Sequence, residues 1–147
     1  MKYLGLDLGS KTLGVAVSDK TGVIASSYKI IRHNEEYDRL LVEVKNLVQD
    51  LEIDAIVLGF PKNMNGSIGP KGELSMSFKS GLEKIVSIPI YLQDERLSTK
   101  SATDMLREGN VSRKKRKKVI DAVAATIILQ TYLDRREWLW KRIHLVW

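Results

Sequence analysis

Apolar and polar residues alternate twice near the start of the chain. Leu4, Leu6 and Leu8 fall on one side, with Tyr3, Gly5 and Asp7 on the other. After Gly9-Ser10-Lys11-Thr12, the residues Leu13, Val15 and Val17 alternate again. A period of two predicts strands, and the small polar residues between them predict a tight reversal. Asp19-Lys20-Thr21-Gly22 is a second turn and 23–31 a third strand. The chain is therefore expected to open as an antiparallel meander of three strands.

The period then lengthens. Tyr37, Leu40, Leu41, Val44, Leu47 and Val48 recur at helical spacing. Asn34 is suited to the N-cap, and Glu35 and Glu36 suit the first turn. Ala55 to Phe60 is a continuous apolar run, the signature of a strand buried on both faces. Residues 61–72 contain three glycines and two prolines and predict a loop. Leu74, Phe78, Leu82, Ile85 and Val86 predict a helix, 88–92 a strand, and Ser98 or Thr99 the cap of a helix carrying Ala102, Met105 and Leu106. The basic stretch 110–118 is expected to be irregular, and 119–133 is a strongly apolar final helix. The order βββαβαβαα predicts an α/β protein with a mixed sheet flanked by helices. Sites in such sheets lie at the carboxyl ends of the parallel strands.

Composition narrows the class. A chain of 147 residues suits one domain. The absence of cysteine removes disulfide scaffolds and thiolate metal sites, and fits a reducing compartment. The opening Met1-Lys2-Tyr3-Leu4 does not read as a signal peptide, and no apolar run reaches the roughly 20 residues of a membrane span. A cytoplasmic protein without a membrane partner is expected. The net charge of +6 is unevenly placed: residues 1–94 carry a net −1 and residues 95–147 a net +7. A localised excess of positive charge is the footprint of a phosphate-rich partner or an anionic membrane face, and solubility alone accounts for it about as well.

Three carboxylates stand out by their surroundings. Asp7 ends the first predicted strand and Glu95 follows the last; Asp121 shares a helix face with Ala124, Ala125, Ile128 and Tyr132. An acid on an apolar face is protonated, paired or metal-bound, because desolvating the free anion is costly. Asp7 and Glu95, taken singly, read as well as turn residues, Asp7 in an Asx-turn at Gly9 and Glu95 paired with Arg96. As a set, three acids suit Mg2+ or Mn2+, hard cations that take oxygen ligands and act on phosphodiesters without an obligatory His or Cys. The two histidines, His33 and His144, sit in no convincing site.

Four segments, in order, resemble the YqgF family, described as candidate Holliday-junction resolvases and as nucleases maturing the 5′ end of 16S ribosomal RNA precursor. They are Leu6-Asp7-Leu8-Gly9-Ser10-Lys11-Thr12-Leu13-Gly14-Val15-Ala16-Val17-Ser18-Asp19, Gly59-Phe60-Pro61-Lys62-Asn63-Met64-Asn65-Gly66-Ser67, Asp94-Glu95-Arg96-Leu97-Ser98-Thr99, and Asp121 with the Ala-rich helix that follows. The resemblance implies a ribonuclease-H-like fold over 1–136, with a mixed five-stranded sheet. It implies Asp7, Glu95 and Asp121 as catalytic, metal-holding carboxylates, with Lys11, Asn63 and Arg96 near the scissile phosphate. Asn65 stands where the family usually has Asp. The tail 137–147 lies outside the resemblance.

Arg113, Lys114, Lys115, Arg116, Lys117 and Lys118 are six consecutive cations. At a helix N-terminus they oppose the dipole, so nucleic-acid phosphate is the better reason for them, with salt-dependent binding. Trp138, Trp140 and Trp147 fall in the last ten residues; such a group suits base stacking, self-association or cover of the core, and packing or an oligomer contact is the expectation. The expected function is a metal-dependent nuclease acting on precursor rRNA or branched DNA, as a monomer or homodimer. Two rivals stand beside it. One is an RNA-binding assembly factor without catalysis; the other is a nucleotide binder of the actin and Hsp70 type, whose first phosphate loop the residues Gly5 to Lys11 also resemble.

Overall fold

The computed structural model describes residues 1–95 and 113–144, with side chains excluded for 113–122 and 143–144. Five strands form one sheet: β1 (Tyr3–Leu8), β2 (Thr12–Ser18), β3 (Ala25–Arg32), β4 (Ala55–Phe60) and β5 (Ile90–Asp94). Their spatial order is β3-β2-β1-β4-β5. β1 pairs antiparallel with β2, opposing Leu6 to Val15, and β2 pairs antiparallel with β3. β1 runs parallel to β4, opposing Leu6 to Leu58, and β4 runs parallel to β5, opposing Leu58 to Leu92. The expected meander plus parallel strands is thus the observed sheet.

Helices α1 (Tyr37–Asp50) and α2 (Pro70–Glu83) and the long α3 (Arg113–His144) complete the described elements. Leu40, Val44 and Leu47 of α1 and Phe78 and Leu82 of α2 pack on Leu4, Leu6, Leu13, Val15, Ile56 and Leu58. α3 covers the other face, where Ala125, Ile128, Leu129 and Leu133 meet Tyr3, Ala16, Ala55 and Val57. That helix lies close because Gly5 has no side chain: a Cβ there would stand 2.7 Å from Leu129 Cβ and 3.1 Å from the Ala125 carbonyl oxygen.

Several boundaries differ from the sequence reading, each for a local reason. The Asp19 carboxylate accepts the N–H groups of Val23 and Ile24 at 2.9 and 3.0 Å and the Thr21 hydroxyl, so the turn extends and the strand begins at Ala25. These bonds hold the Asp19 carboxyl well below the usual carboxylate range. α1 begins after Glu36 without a side-chain cap; Asn34 instead accepts a hydrogen bond from Lys11 Nζ at 3.3 Å. Pro70 starts α2 at its first position, where a missing N–H leaves nothing unsatisfied. The loop expected over 61–72 therefore ends at Gly69. β5 starts at Ile90 because Pro89 has no N–H to donate, although its carbonyl accepts from Ile56 at 3.0 Å.

The cations at 113–118 were expected in irregular chain, yet they form the first turns of α3. Lys and Arg are good helix formers, and propagation from a packed apolar helix outweighs a dipole term of well under about 1 kcal/mol each. The helix expected from Ser98 or Thr99 lies outside the described residues, as do residues 110–112 and the side chains of 113–118. α3 also runs past 133 to His144, so the boundary drawn at 136/137 falls inside a continuous helix. Among the described residues, no helix is long and apolar enough to cross a membrane.

Candidate active site

The site follows from the register. Tyr3, Gly5 and Asp7 alternate onto the α3 face of β1, and Ala55, Val57 and Gly59 onto the same face of the neighbouring β4. The parallel pairing that opposes Leu6 to Leu58 sets Asp7 beside Gly59, where both strands approach their carboxyl ends. Gly59 opposes Gln93 on β5, and the Glu95 N–H reaches the Phe60 carbonyl at 3.3 Å. The Glu95 side chain turns back over Gly59. A Cβ at Gly59 would lie 2.5 Å from Glu95 Oε1, 2.8 Å from its Cδ and 2.8 Å from Ile128 Cδ1. The missing side chain is the space that the carboxyl fills.

Glu95 meets Asp7 there. Burial pushes the Glu95 carboxyl up to about 9; a hydrogen bond with Asp7, the Asp7 charge and the Asp94 charge add to the rise, and Lys71 opposes it. At neutral pH Glu95 therefore carries a proton and donates it to Asp7. Two carboxyls held together in this way share one proton because two anions so close cannot both be stable unpaired. A hard divalent cation takes oxygen donors of this kind and can replace the shared proton. Among the described residues no group of three or more metal-capable side chains is assembled.

Asp121 lies within α3, one turn before Ala125, whose carbonyl is the close neighbour of Gly5. Its side chain is outside the described residues, as are those of Arg113, Lys114, Lys115, Arg116, Lys117 and Lys118; Arg96 lies outside altogether. The Asx-turn weighed for Asp7 is not formed: the Gly9 N–H goes to the Thr12 carbonyl at 2.8 Å. That leaves Asp7 available to Glu95.

Lys11 is exposed in the β1–β2 turn and is steered by Asn34. Asn63 sits in the loop after β4, donating through Nδ2 to Ser67 Oγ at 2.9 Å, with its amide against Gly69. Asn65 accepts from the Ser67 N–H at 3.0 Å and from its hydroxyl at 2.6 Å. The loop is thus tied across itself on the rim of the site. The neutral amide at position 65 serves this bonding without a charge.

His33 is a residue that sequence reasoning set aside. It is buried, and its Nε2 is 2.9 Å from the Gly9 carbonyl oxygen while its Nδ1 accepts the Glu35 N–H at 3.0 Å. These partners assign the neutral tautomer with the proton on Nε2. Its backbone N–H also holds the Lys11 carbonyl at 2.9 Å. Glu35 adopts a left-handed conformation, φ 62°, which turns its N–H to the ring. His33 therefore clamps the turn that carries Lys11, four residues beyond Asp7. Only a long-range contact shows this. The apolar residues preceding it are no different from those of any edge strand.

The tryptophans expected to cover the core do not: Trp138 is 55% and Trp140 59% exposed, because α3 has left the sheet by that point. Trp147 lies outside the described residues.

Comparison with known proteins agrees with the geometry. A protein of Bacillus subtilis (strain 168), named as a candidate pre-16S rRNA nuclease, is 55% identical over 135 residues, covering 91% of this chain and 98% of its own length. One of the same name from Geobacillus sp. (strain WCH70) is 51% identical over 138 residues, covering 93% and 100%. Among solved structures, Thermus thermophilus RuvC in complex with a Holliday junction substrate superimposes with a TM-score of 0.59 at 14% identity, covering 93% of this chain and 96% of that one. It shares the expected ribonuclease-H-like fold. With residues 1–135 matching the RuvX family, described as Holliday junction resolvase, the chain belongs to that family.

Proposed function

We propose that the protein is a divalent-metal-dependent endonuclease whose substrate is the precursor of 16S ribosomal RNA, acting in the cytoplasm. The observation that carries this reading is the Asp7–Glu95 pair: two carboxyl side chains hydrogen-bonded to each other, with Glu95 folded over Gly59 at the carboxyl ends of β1 and β4. Asp7, Glu95 and Asp121 would hold Mg2+ or Mn2+. When bound, the cation activates water and neutralises charge on the phosphodiester. Glu95 releases its proton as the site fills, and Asp7 is freed from donating partners to serve as a ligand. Lys11, fixed by Asn34 and by the His33 clamp, orients the phosphate, with Asn63 on the rim; Arg96 is assigned to the phosphate by the family resemblance alone. The cations from Arg113 to Lys118 hold the flanking backbone.

RNA is preferred to a DNA junction because the relatives named for ribosomal RNA share half or more of their residues with this chain, whereas the likeness to RuvC is one of fold. A single cut in RNA needs one active site and a monomer. Symmetric cutting of a junction needs two, and hence a homodimer.

The test incubates the protein and Asp7→Asn with labelled precursor rRNA, single-stranded RNA and a four-way DNA junction, in Mg2+, Mn2+ or EDTA. Precursor RNA is expected to be cut only with metal. Asp7→Asn is expected to lower that rate at least about 10²–10³-fold, the scale of a single charge-stabilising group, with RNA affinity retained. Cleavage of the junction alone would make it a resolvase. Intact RNA binding without cleavage in any metal would make it an assembly factor, and tight ATP binding would restore the nucleotide-binding reading.

A further inference from the structure

The last turns of α3 lie beyond residue 135, where the family match ends. Their charged groups divide into used and exposed. Arg136 is used at the sheet: it donates to the Tyr3 hydroxyl and lies over the Tyr3 ring at 5.4 Å. Lys141 is paired with Glu137 at 3.2 Å. Exposed along one line of the helix are Arg135, Trp138 and Arg142, together with Asp134, whose carboxylate accepts from Gln130 Nε2 at 2.8 Å. At about 100° per residue, the other members of this set lie within roughly 60° of Trp138. The Arg142 guanidinium stands 5.1 Å from the centre of the Trp138 ring. An exposed indole flanked by two cations is thus presented on a rigid, continuous helix.

We propose that this line is a second nucleic-acid contact, on which an unpaired base stacks on Trp138 while Arg135 and Arg142 engage the phosphates on either side. It rests on the reading of the protein as one that acts on nucleic acid, and it assigns where a longer substrate runs. The arrangement suits a polyanion with exposed π-faces: base stacking on aromatic side chains and Arg–phosphate contacts combine in such sites.

Two other occupants fit less well. A helix lying on a membrane gathers its large apolar residues on one face and its cations on the other. Here Trp138 shares its line with the cations. Trp140 lies about 200° around the helix, against a groove of about 260 Å³ formed with Thr21, Gly22, Val23 and Leu133. A second copy placed on this line by a two-fold axis would bring arginine against arginine at both ends of the seam.

The contact is distant from the carboxylates. Asp7 lies at the carboxyl end of β1, whereas the tail of α3 passes Tyr3 at the other end. From position 121 to 138 the helix advances roughly 26 Å. Only a substrate that extends well past the cleaved bond can reach Trp138, so the contact selects for length and for unpaired flanking sequence.

The experiment uses the full chain and Trp138→Ala, Trp138→Phe and the double variant Arg135→Gln/Arg142→Gln. Binding to single-stranded RNA is measured in EDTA over a range of salt, with one short oligonucleotide and one several times longer. Trp138→Ala is expected to weaken binding of the long RNA roughly tenfold, within the range for one stacked base, and to leave the short one unchanged. Trp138→Phe restores most of the loss. The double variant is expected to lower the slope of log affinity against log salt by about 1.4, from roughly 0.7 per phosphate contact on a single strand. Melting temperature and cleavage of the short substrate stay at the level of the parent chain. Equal affinity and slope for the long RNA in all four proteins would overturn the proposal. So would a loss confined to co-sedimentation with phosphatidylserine vesicles, or to dimer in size-exclusion chromatography. If the parent chain cleaves no RNA in any metal while Trp138→Ala still weakens binding of the long RNA, the nuclease reading fails and this contact stands.

Discussion

On the side of the sheet covered by α1 and α2, the central strands present Leu4, Leu6, Leu13, Val15, Ile56 and Leu58, every one of them buried among large apolar partners. On the side covered by α3, the same strands present Tyr3, Gly5, Asp7, Ala16, Ala55, Val57 and Gly59. The first face is filled by bulk. The second is thinned by small residues, so that α3 can sit on Gly5 and so that Glu95 can fold over Gly59 beside Asp7. One end of the second face thus gives up apolar burial to seat two half-buried carboxyls side by side. Stability and chemistry are assigned to opposite sides of one sheet, one residue apart along each strand.

Four perturbations sharpen that contrast. Leu6→Ala, on the filled face, is expected to destabilise by about 2–5 kcal/mol through lost burial and the cavity left behind, while activity per folded molecule stays the same. Denaturant melts and active-site-normalised rates measure both, and a large loss of specific activity would mean that the faces are not separable. Gly59→Ala inverts the pattern. Its methyl would displace the Glu95 carboxyl and Ile128, so cleavage is expected to fall about 100-fold with a stability loss of only roughly 1–2 kcal/mol. Wild-type rates in that variant would show that Glu95 need not lie over Gly59.

The third uses pH. The folded state holds the Glu95 proton more tightly than the unfolded chain does, with the folded value near 9 against an ordinary 4.5. Stability from this group is therefore complete below about pH 4.5 and is lost as pH rises toward 9. In EDTA the melting temperature is expected to fall across that window by several degrees, since about 1 kcal/mol moves it by roughly 4 °C in a chain of this size. Glu95→Gln should flatten the decline and raise the melting temperature at neutral pH. An unchanged slope in that variant would remove Glu95 as its source. The smallest effect is expected from His33→Leu, which fills the buried space but leaves the Gly9 carbonyl and the Glu35 N–H without their ring partners. Stability should drop by about 1–2 kcal/mol. KM should rise several-fold with kcat nearly constant, because the lost clamp acts on the turn of Lys11, the residue proposed to orient the phosphate. A reduced kcat at constant KM would place His33 in a different role.

Much of this protein was legible before any coordinates. The alternation around Leu4–Leu8 and Leu13–Val17, the apolar run Ala55–Phe60 and the helical spacing from Tyr37 are local signals, set by which side chains must leave water together. They were enough for the meander, the parallel strands and the strand-end positions of Asp7 and Glu95. Glycine, proline and asparagine near an element's end were poorer guides. Asn34 looked like a cap and proved to be a partner of Lys11, because a side chain that can bond several ways is decided by whichever donor the fold brings to it.

What the sequence by itself determined is the kind of sheet, the acids at its strand ends and the excess of charge in the last third of the chain. The tertiary structure alone decided that Glu95 hydrogen-bonds Asp7, that Gly59 is the space beneath them, that His33 clamps the Lys11 turn and that the tail of α3 stands exposed. Each of these depends on groups far apart in the chain meeting at a fixed distance, and periodicity carries no information about which strand becomes whose neighbour. The carboxyl pair is the clearest case: the Glu95 carboxyl is pushed up only because partial burial and the hydrogen bond with Asp7 bring together two acids separated by most of the chain.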